Sequence, residues 1–79
     1  MTNNEVFELT NKYIMTTYKR FPIALKSGKG VYLYDYDGKE YLDFLAGISV
    51  NALGYSNPAI IKAVNELATG LFHTSNLFY

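Results

Sequence analysis

The chain has 79 residues, no cysteine, and seven basic against seven acidic side chains, for a formal net charge of zero. That length holds at most one small domain, whose single core supplies about 3–5 kcal/mol when nothing staples it. The cysteine count excludes disulfides, a thiol nucleophile and a cysteine-based zinc site, and the balanced charge lacks the basic footprint of a nucleic-acid binder.

His73 is the one histidine, too few for a metal cluster, and no metal site is expected. Hydrophobic residues make up 49% of the chain, too many for a disordered segment. Eight tyrosines, five phenylalanines and no tryptophan suit interfaces and partly wet clefts, because tyrosine joins an apolar body to a polar tip. No apolar run approaches the roughly 18 residues of a membrane span. The opening MTNNEVFELTNKYIM lacks the basic start and apolar centre of a secretory signal. A cytoplasmic protein with no membrane partner is the expectation. The chain ends on Leu77-Phe78-Tyr79, whereas domains end in exposed polar segments, so the end reads as a cut through a larger protein.

In chain order, Thr2 and Glu5 form a T-x-x-E capping box. Val6, Leu9 and Tyr13 then repeat at helical spacing, widened by Phe7 and Ile14, and predict a helix over 3–15. Thr16 and Thr17 weaken it, and Pro22 biases Phe21 toward extended geometry. Between Ile23 and Asp43 the period becomes two. Ser27-Gly28-Lys29-Gly30 marks one reversal and Asp37-Gly38 a second, the latter suited to a type I′ hairpin. The expectation is a meander of three short antiparallel strands, the first over 23–26. Its paired glycines lack the spacing of a phosphate-binding loop. Leu45 to Tyr55 fits neither period, and its glycines and polar residues among apolar ones suggest backbone running close to a ligand. Asn57-Pro58 starts a second helix with Ile60, Ile61, Val64, Leu67 and Ala68 on its apolar face, and Gly70 is placed as its left-handed terminator. The fold class is α+β: an N-terminal helix, a small antiparallel meander and a second helix.

The catalytic inventory is thin, and no catalytic residue is assigned. His73 and Ser75 are two apart with no nucleophile elbow, which leaves a serine–histidine–aspartate scheme without support. Asp35, Asp37, Glu40 and Asp43 surround one hairpin, where solvation and cross-strand pairing with Lys39 outweigh paired acid–base chemistry. Lys12, Lys19, Lys26, Lys29, Lys39 and Lys62 fall on expected exposed faces or turns, without the apolar surroundings of a Schiff-base lysine.

Several blocks, in order and at matching spacing, resemble the start of class III (omega) aminotransferases. They are YKRFPIAL from Tyr18, GKGVYLYDYDGKEYLDFLAGISVNALGYSNP from Gly28, and HTSNLFY from His73. Many members carry G-H-x-H-P where this chain has Gly54-Tyr55-Ser56-Asn57-Pro58, so roles of those histidines do not transfer. The resemblance implies a segment from the small-domain side of a fold-type I transferase, a homodimer that uses pyridoxal 5′-phosphate. It is strongest toward the branch that moves an amino group from N2-acetylornithine to 2-oxoglutarate in arginine biosynthesis. Ornithine, 4-aminobutyrate and succinylornithine remain alternative donors. The lysine that binds the cofactor, the aspartate that pairs with its ring nitrogen and the phosphate-holding turn would lie beyond Tyr79. Residues 1–79 would form the N-terminal segment, inactive alone.

By the same resemblance, Tyr18 matches an aromatic near the substrate, or is a packing residue at a helix end. Ile48 sits where the pocket wall is set, or is ordinary core. Ser75 and Asn76 fall in a segment approaching the partner subunit's active site, or cap a loop. A free-standing tyrosine-rich interaction module presenting Tyr32, Tyr34, Tyr36 and Tyr41 is the rival from another class.

Overall fold

Thr2 opens α1 (Asn3–Tyr13) in the computed structural model, which describes residues 1–79. Its hydroxyl accepts from the Glu5 N–H at 3.2 Å, and its own N–H donates to Glu5 Oε2 at 2.6 Å. The helix stops two residues before Met15, because Ile14 is already extended at φ −106° and ψ 130°. A run containing the β-branched Ile14, Thr16 and Thr17 holds a helical turn poorly.

Strands β1 (Leu25–Lys29), β2 (Tyr32–Asp35) and β3 (Glu40–Leu42) form one antiparallel sheet in the order β1-β2-β3. Lys29 pairs with Tyr32 and Gly28 with Leu33, and the register shifts between Leu25 and Ser27. The first reversal therefore lies at Gly30-Val31, at the far end of the expected Ser27-Gly28-Lys29-Gly30, and β1 runs over Leu25–Lys29 where 23–26 was expected, so Gly28 is a strand residue. Gly30 has φ 59° and occupies the first central position, the arrangement of a type II′ turn. The second reversal is also not type I′. The Gly38 N–H donates to the Asp35 carbonyl, the Asp35 N–H donates to the Lys39 carbonyl, and Gly38 alone of the loop has positive φ, at 86°. This is a three-residue loop, a type I turn followed by a left-handed glycine.

A single helical turn, α2 (Ala46–Ser49), follows β3. Beyond it α3 (Pro58–Ala68) begins where expected, with Asn57 Oδ1 accepting from the Ala59 N–H at 3.0 Å. Gly70 stands at C′, directly after the C-cap Thr69, as expected, but it donates its N–H to the Leu67 carbonyl without taking positive φ.

No hydrophobic core forms. Only Ala24 and Asp35 are buried, and α3 leaves Ile60, Ile61, Val64 and Leu67 at the surface. The accessible surface is 7353 Å², about 2,500 Å² more than a compact monomer of 8.9 kDa exposes. The radius of gyration is 16.3 Å, against about 12 Å for a compact domain of this length. What positions the loops is the sheet and a set of polar anchors.

Candidate functional site

The segment from Asp43 to Ser56 folds back over the β1–β2 turn. Gly30 and Tyr55 exchange two backbone hydrogen bonds, at 2.9 and 2.8 Å, and the Ser56 hydroxyl donates to the Gly28 carbonyl at 2.7 Å. Glycine is required at this crossing. A Cβ on Gly28 would stand 2.6 Å from the Tyr55 ring, and one on Gly54 would stand 2.6 Å from the Gly30 carbonyl oxygen.

Within that fold-back α2 winds left-handed. Ala46, Gly47, Ile48 and Ser49 have φ of 52°, 60°, 65° and 63°. Each residue with a Cβ costs about 1–2 kcal/mol in this region, most plainly the β-branched Ile48. Such geometry persists only where neighbours impose it. Asp43 is the visible neighbour. Its Oδ1 accepts from the N–H groups of Leu45 and Ala46, both at 2.9 Å, and its Oδ2 accepts from the Tyr55 hydroxyl at 2.7 Å. The Tyr55 hydroxyl bond, with the Ala46 N–H next, holds the Asp43 carboxyl below the usual carboxylate range, and the carboxylate in turn raises the Tyr55 phenol. The result is a hydrogen-bonded bend that projects Ile48, 82% exposed. Ordinary burial within this chain is thereby excluded for Ile48.

A second anchor joins α1 to the hairpin. Asp35 is 3% exposed and accepts from Asn3 Nδ2 at 3.0 Å, the Tyr41 hydroxyl at 2.8 Å, and the Asp37 and Lys39 N–H groups at 3.0 and 2.8 Å. Asn3 answers by accepting the Tyr36 N–H at 3.2 Å and donating its own N–H to Asp37 Oδ1 at 3.0 Å. These bonds, the one from Asn3 foremost, hold the Asp35 carboxyl down to about 2. Solvation of this carboxylate and pairing with Lys39, the expectation from sequence, are both replaced by a buried cap. Lys39 instead lies over the Tyr41 ring, 5.1 Å from its centre.

Tyr18 is 75% exposed and lines a groove of about 320 Å³ between α1 and residues 20–24, with Val6, Phe7, Ile14 and Phe21 among its walls. None of the other three candidate residues reaches that groove. Ser75 and Asn76 lie in a fully exposed segment, where Ser75 has φ 70° and its hydroxyl accepts from the Leu77 N–H at 3.3 Å. That is local loop capping. The four candidates thus occupy three separate places. Asn3, Asp35, Asp43 and Tyr55 are the organising residues that sequence reasoning missed. An aspartate two and four residues before the amides it caps was a usable signal for Asp35, whereas Tyr55 lies twelve residues from Asp43 and carried none.

The family model described as class-III aminotransferase matches residues 13–79. Acetylornithine aminotransferase of Methanocaldococcus jannaschii is 46% identical over 79 residues, which are 100% of this chain and 20% of that protein. Among solved structures, acetylornithine aminotransferase from Elizabethkingia anophelis matches with a TM-score of 0.91 at 37% identity, covering 100% of this chain and 21% of that one. Plasmodium falciparum ornithine delta-aminotransferase also reaches 0.91, at 30% identity, over 100% of this chain and 20% of its own. The chain spans about a fifth of the length of the relatives it matches.

Proposed function

This chain belongs to the class III aminotransferases, and from that membership we propose that residues 1–79 are the N-terminal segment of an enzyme moving an amino group from N2-acetylornithine to 2-oxoglutarate in arginine biosynthesis. The observation that carries the choice of donor is the 46% identity to an acetylornithine aminotransferase along the whole chain. The fold does not separate donors, since acetylornithine and ornithine enzymes match with the same TM-score of 0.91.

The cofactor of this reading is pyridoxal 5′-phosphate, which when bound acts as the electron sink of the reaction. In this reading the residues that bind it lie mostly beyond Tyr79. Every lysine lies at the surface, and the N–H groups of Gly30, Gly38 and Gly54 are already donated to the carbonyls of Tyr55, Asp35 and Asn51, so none is free to cradle a phosphate. In this reading the remainder of the enzyme holds the cofactor, and the chain supplies one edge of the cleft. Tyr18 and Ile48 face the substrate, with Ile48 as an apolar wall for the donor's carbon chain. Ser75 and Asn76 approach the active site of the partner subunit in a homodimer. The apolar residues left uncovered, Ile60, Ile61, Val64 and Leu67 of α3 among them, would pack on the rest of the enzyme and on the second subunit. No helix is long and apolar enough to cross a membrane; a cytoplasmic location is part of the proposal.

The test is glutamate formation by the full-length, cofactor-loaded enzyme, with N2-acetylornithine, ornithine, 4-aminobutyrate and succinylornithine offered separately. The expected result is a kcat/KM for N2-acetylornithine at least about tenfold above the others. A higher value for another donor overturns the assignment.

A further inference from the structure

We propose that Tyr55 is a positioning residue, which acts through Asp43 to hold the left-handed turn Ala46–Ser49 in the conformation that sets Ile48 against the amino donor. The proposal rests on the reading of Ile48 as a substrate wall. Its support is a continuous line of bonds from sheet to turn. Tyr55 is immobilised from two sides, by its paired backbone bonds to Gly30 and by its ring, which fills the space where Gly28 leaves no room for a Cβ. Its hydroxyl, 2.7 Å from Asp43 Oδ2, also accepts from Asn51 Nδ2 at 3.3 Å. Asp43 Oδ1 then takes the two N–H groups that lead into the turn.

The bonds inside the turn do not select its hand. The Leu45 carbonyl accepts from Ile48 and Ser49, and the Ala46 carbonyl from Val50 and Asn51; a right-handed turn would make equivalent bonds with less strain. Selection falls to the groups outside it, and Asp43 supplies the side-chain bonds that reach its entry. Removing the Tyr55 hydroxyl frees Asp43 to rotate, and Ile48 then samples other directions. Within this chain no packing contact restrains Ile48, which is 82% exposed, so here its direction follows the backbone.

The test uses the full-length holoenzyme with Tyr55→Phe, which keeps the ring and removes the hydroxyl. Amide exchange over residues 45–51 is expected to quicken by about tenfold, the effect of one lost hydrogen bond. KM for the amino donor is expected to rise by about five- to tenfold, while kcat and the cofactor's absorbance stay within about twofold. Asp43→Asn should give the same split, and the double variant should be no worse than the poorer single one, because both act along one line. Unchanged exchange overturns the proposal. So does a fall in kcat and cofactor content with KM unmoved, which marks a purely structural role. If the wild-type enzyme turns over no N2-acetylornithine, the donor assignment fails on its own, and the KM split is read on the donor that the enzyme does use.

Discussion

Replacing Gly54 by alanine is expected to break the crossing between the hairpin and the Asp43–Ser56 loop. Two costs add. Gly54 sits at φ 72°, where a residue with a Cβ costs about 1–2 kcal/mol. The new Cβ would also stand 2.6 Å from the Gly30 oxygen and 3.0 Å from its carbonyl carbon. Both are backbone atoms with no rotamer to escape into, so the strands must separate. Separation sacrifices the two bonds between Gly30 and Tyr55, worth about 1 kcal/mol each. The sum is about 3 kcal/mol of local stability, or more than about a hundredfold in exchange rate. Gly38→Ala is the control: its φ is 86°, but nothing lies within 4 Å of its Cβ position, so it carries about 1 kcal/mol of backbone strain alone. Amide exchange at Gly30 and Tyr55 in the full-length enzyme separates the two. Equal rates in the two variants, or unchanged protection of Tyr55 in Gly54→Ala, would refute the steric reasoning.

The Asp35 carboxyl titrates at about 2 in the folded chain, below its ordinary 3.8. Its contribution is therefore complete above about pH 4 and is lost as the pH falls from there toward 2. Asp35→Asn should flatten that acid limb in the protection of the Asp37 and Lys39 amides, and an unshifted acid profile would contradict it. Ile48→Gly relieves a strained φ of 65° and should raise thermal stability slightly while raising donor KM, measured by melting and by initial rates. A lower melting temperature would show that Ile48 is packed rather than presented. The isolated 79-residue chain should sediment as aggregate, show little exchange protection in α3, and form no glutamate from N2-acetylornithine and 2-oxoglutarate with added cofactor. A protected monomer would show that the uncovered surface needs no partner.

The capping box at Thr2 and Glu5, the Asn57-Pro58 helix start and the order of three antiparallel strands were all legible in the sequence. Each depends on residues within a few positions of one another, where side-chain reach and backbone preference act directly. The turns were legible as places and not as types. Gly28 looked like a turn residue, but it lies in β1 paired with Leu33, and it is glycine there because the ring of Tyr55, distant in sequence, occupies the space a side chain would need. Asp35 looked like a solvated hairpin acid until Asn3 and Tyr41 closed over it. The segment from Leu45 to Tyr55 announced that it fits no regular period and that its backbone runs close to something, but not its shape. Its left-handed turn opposes local preference at Ala46, Ile48 and Ser49, so no local rule could have indicated it. The contacts within this chain that reach the turn run through Asp43 and Tyr55 to the hairpin, and they exist only once the chain has folded back on itself.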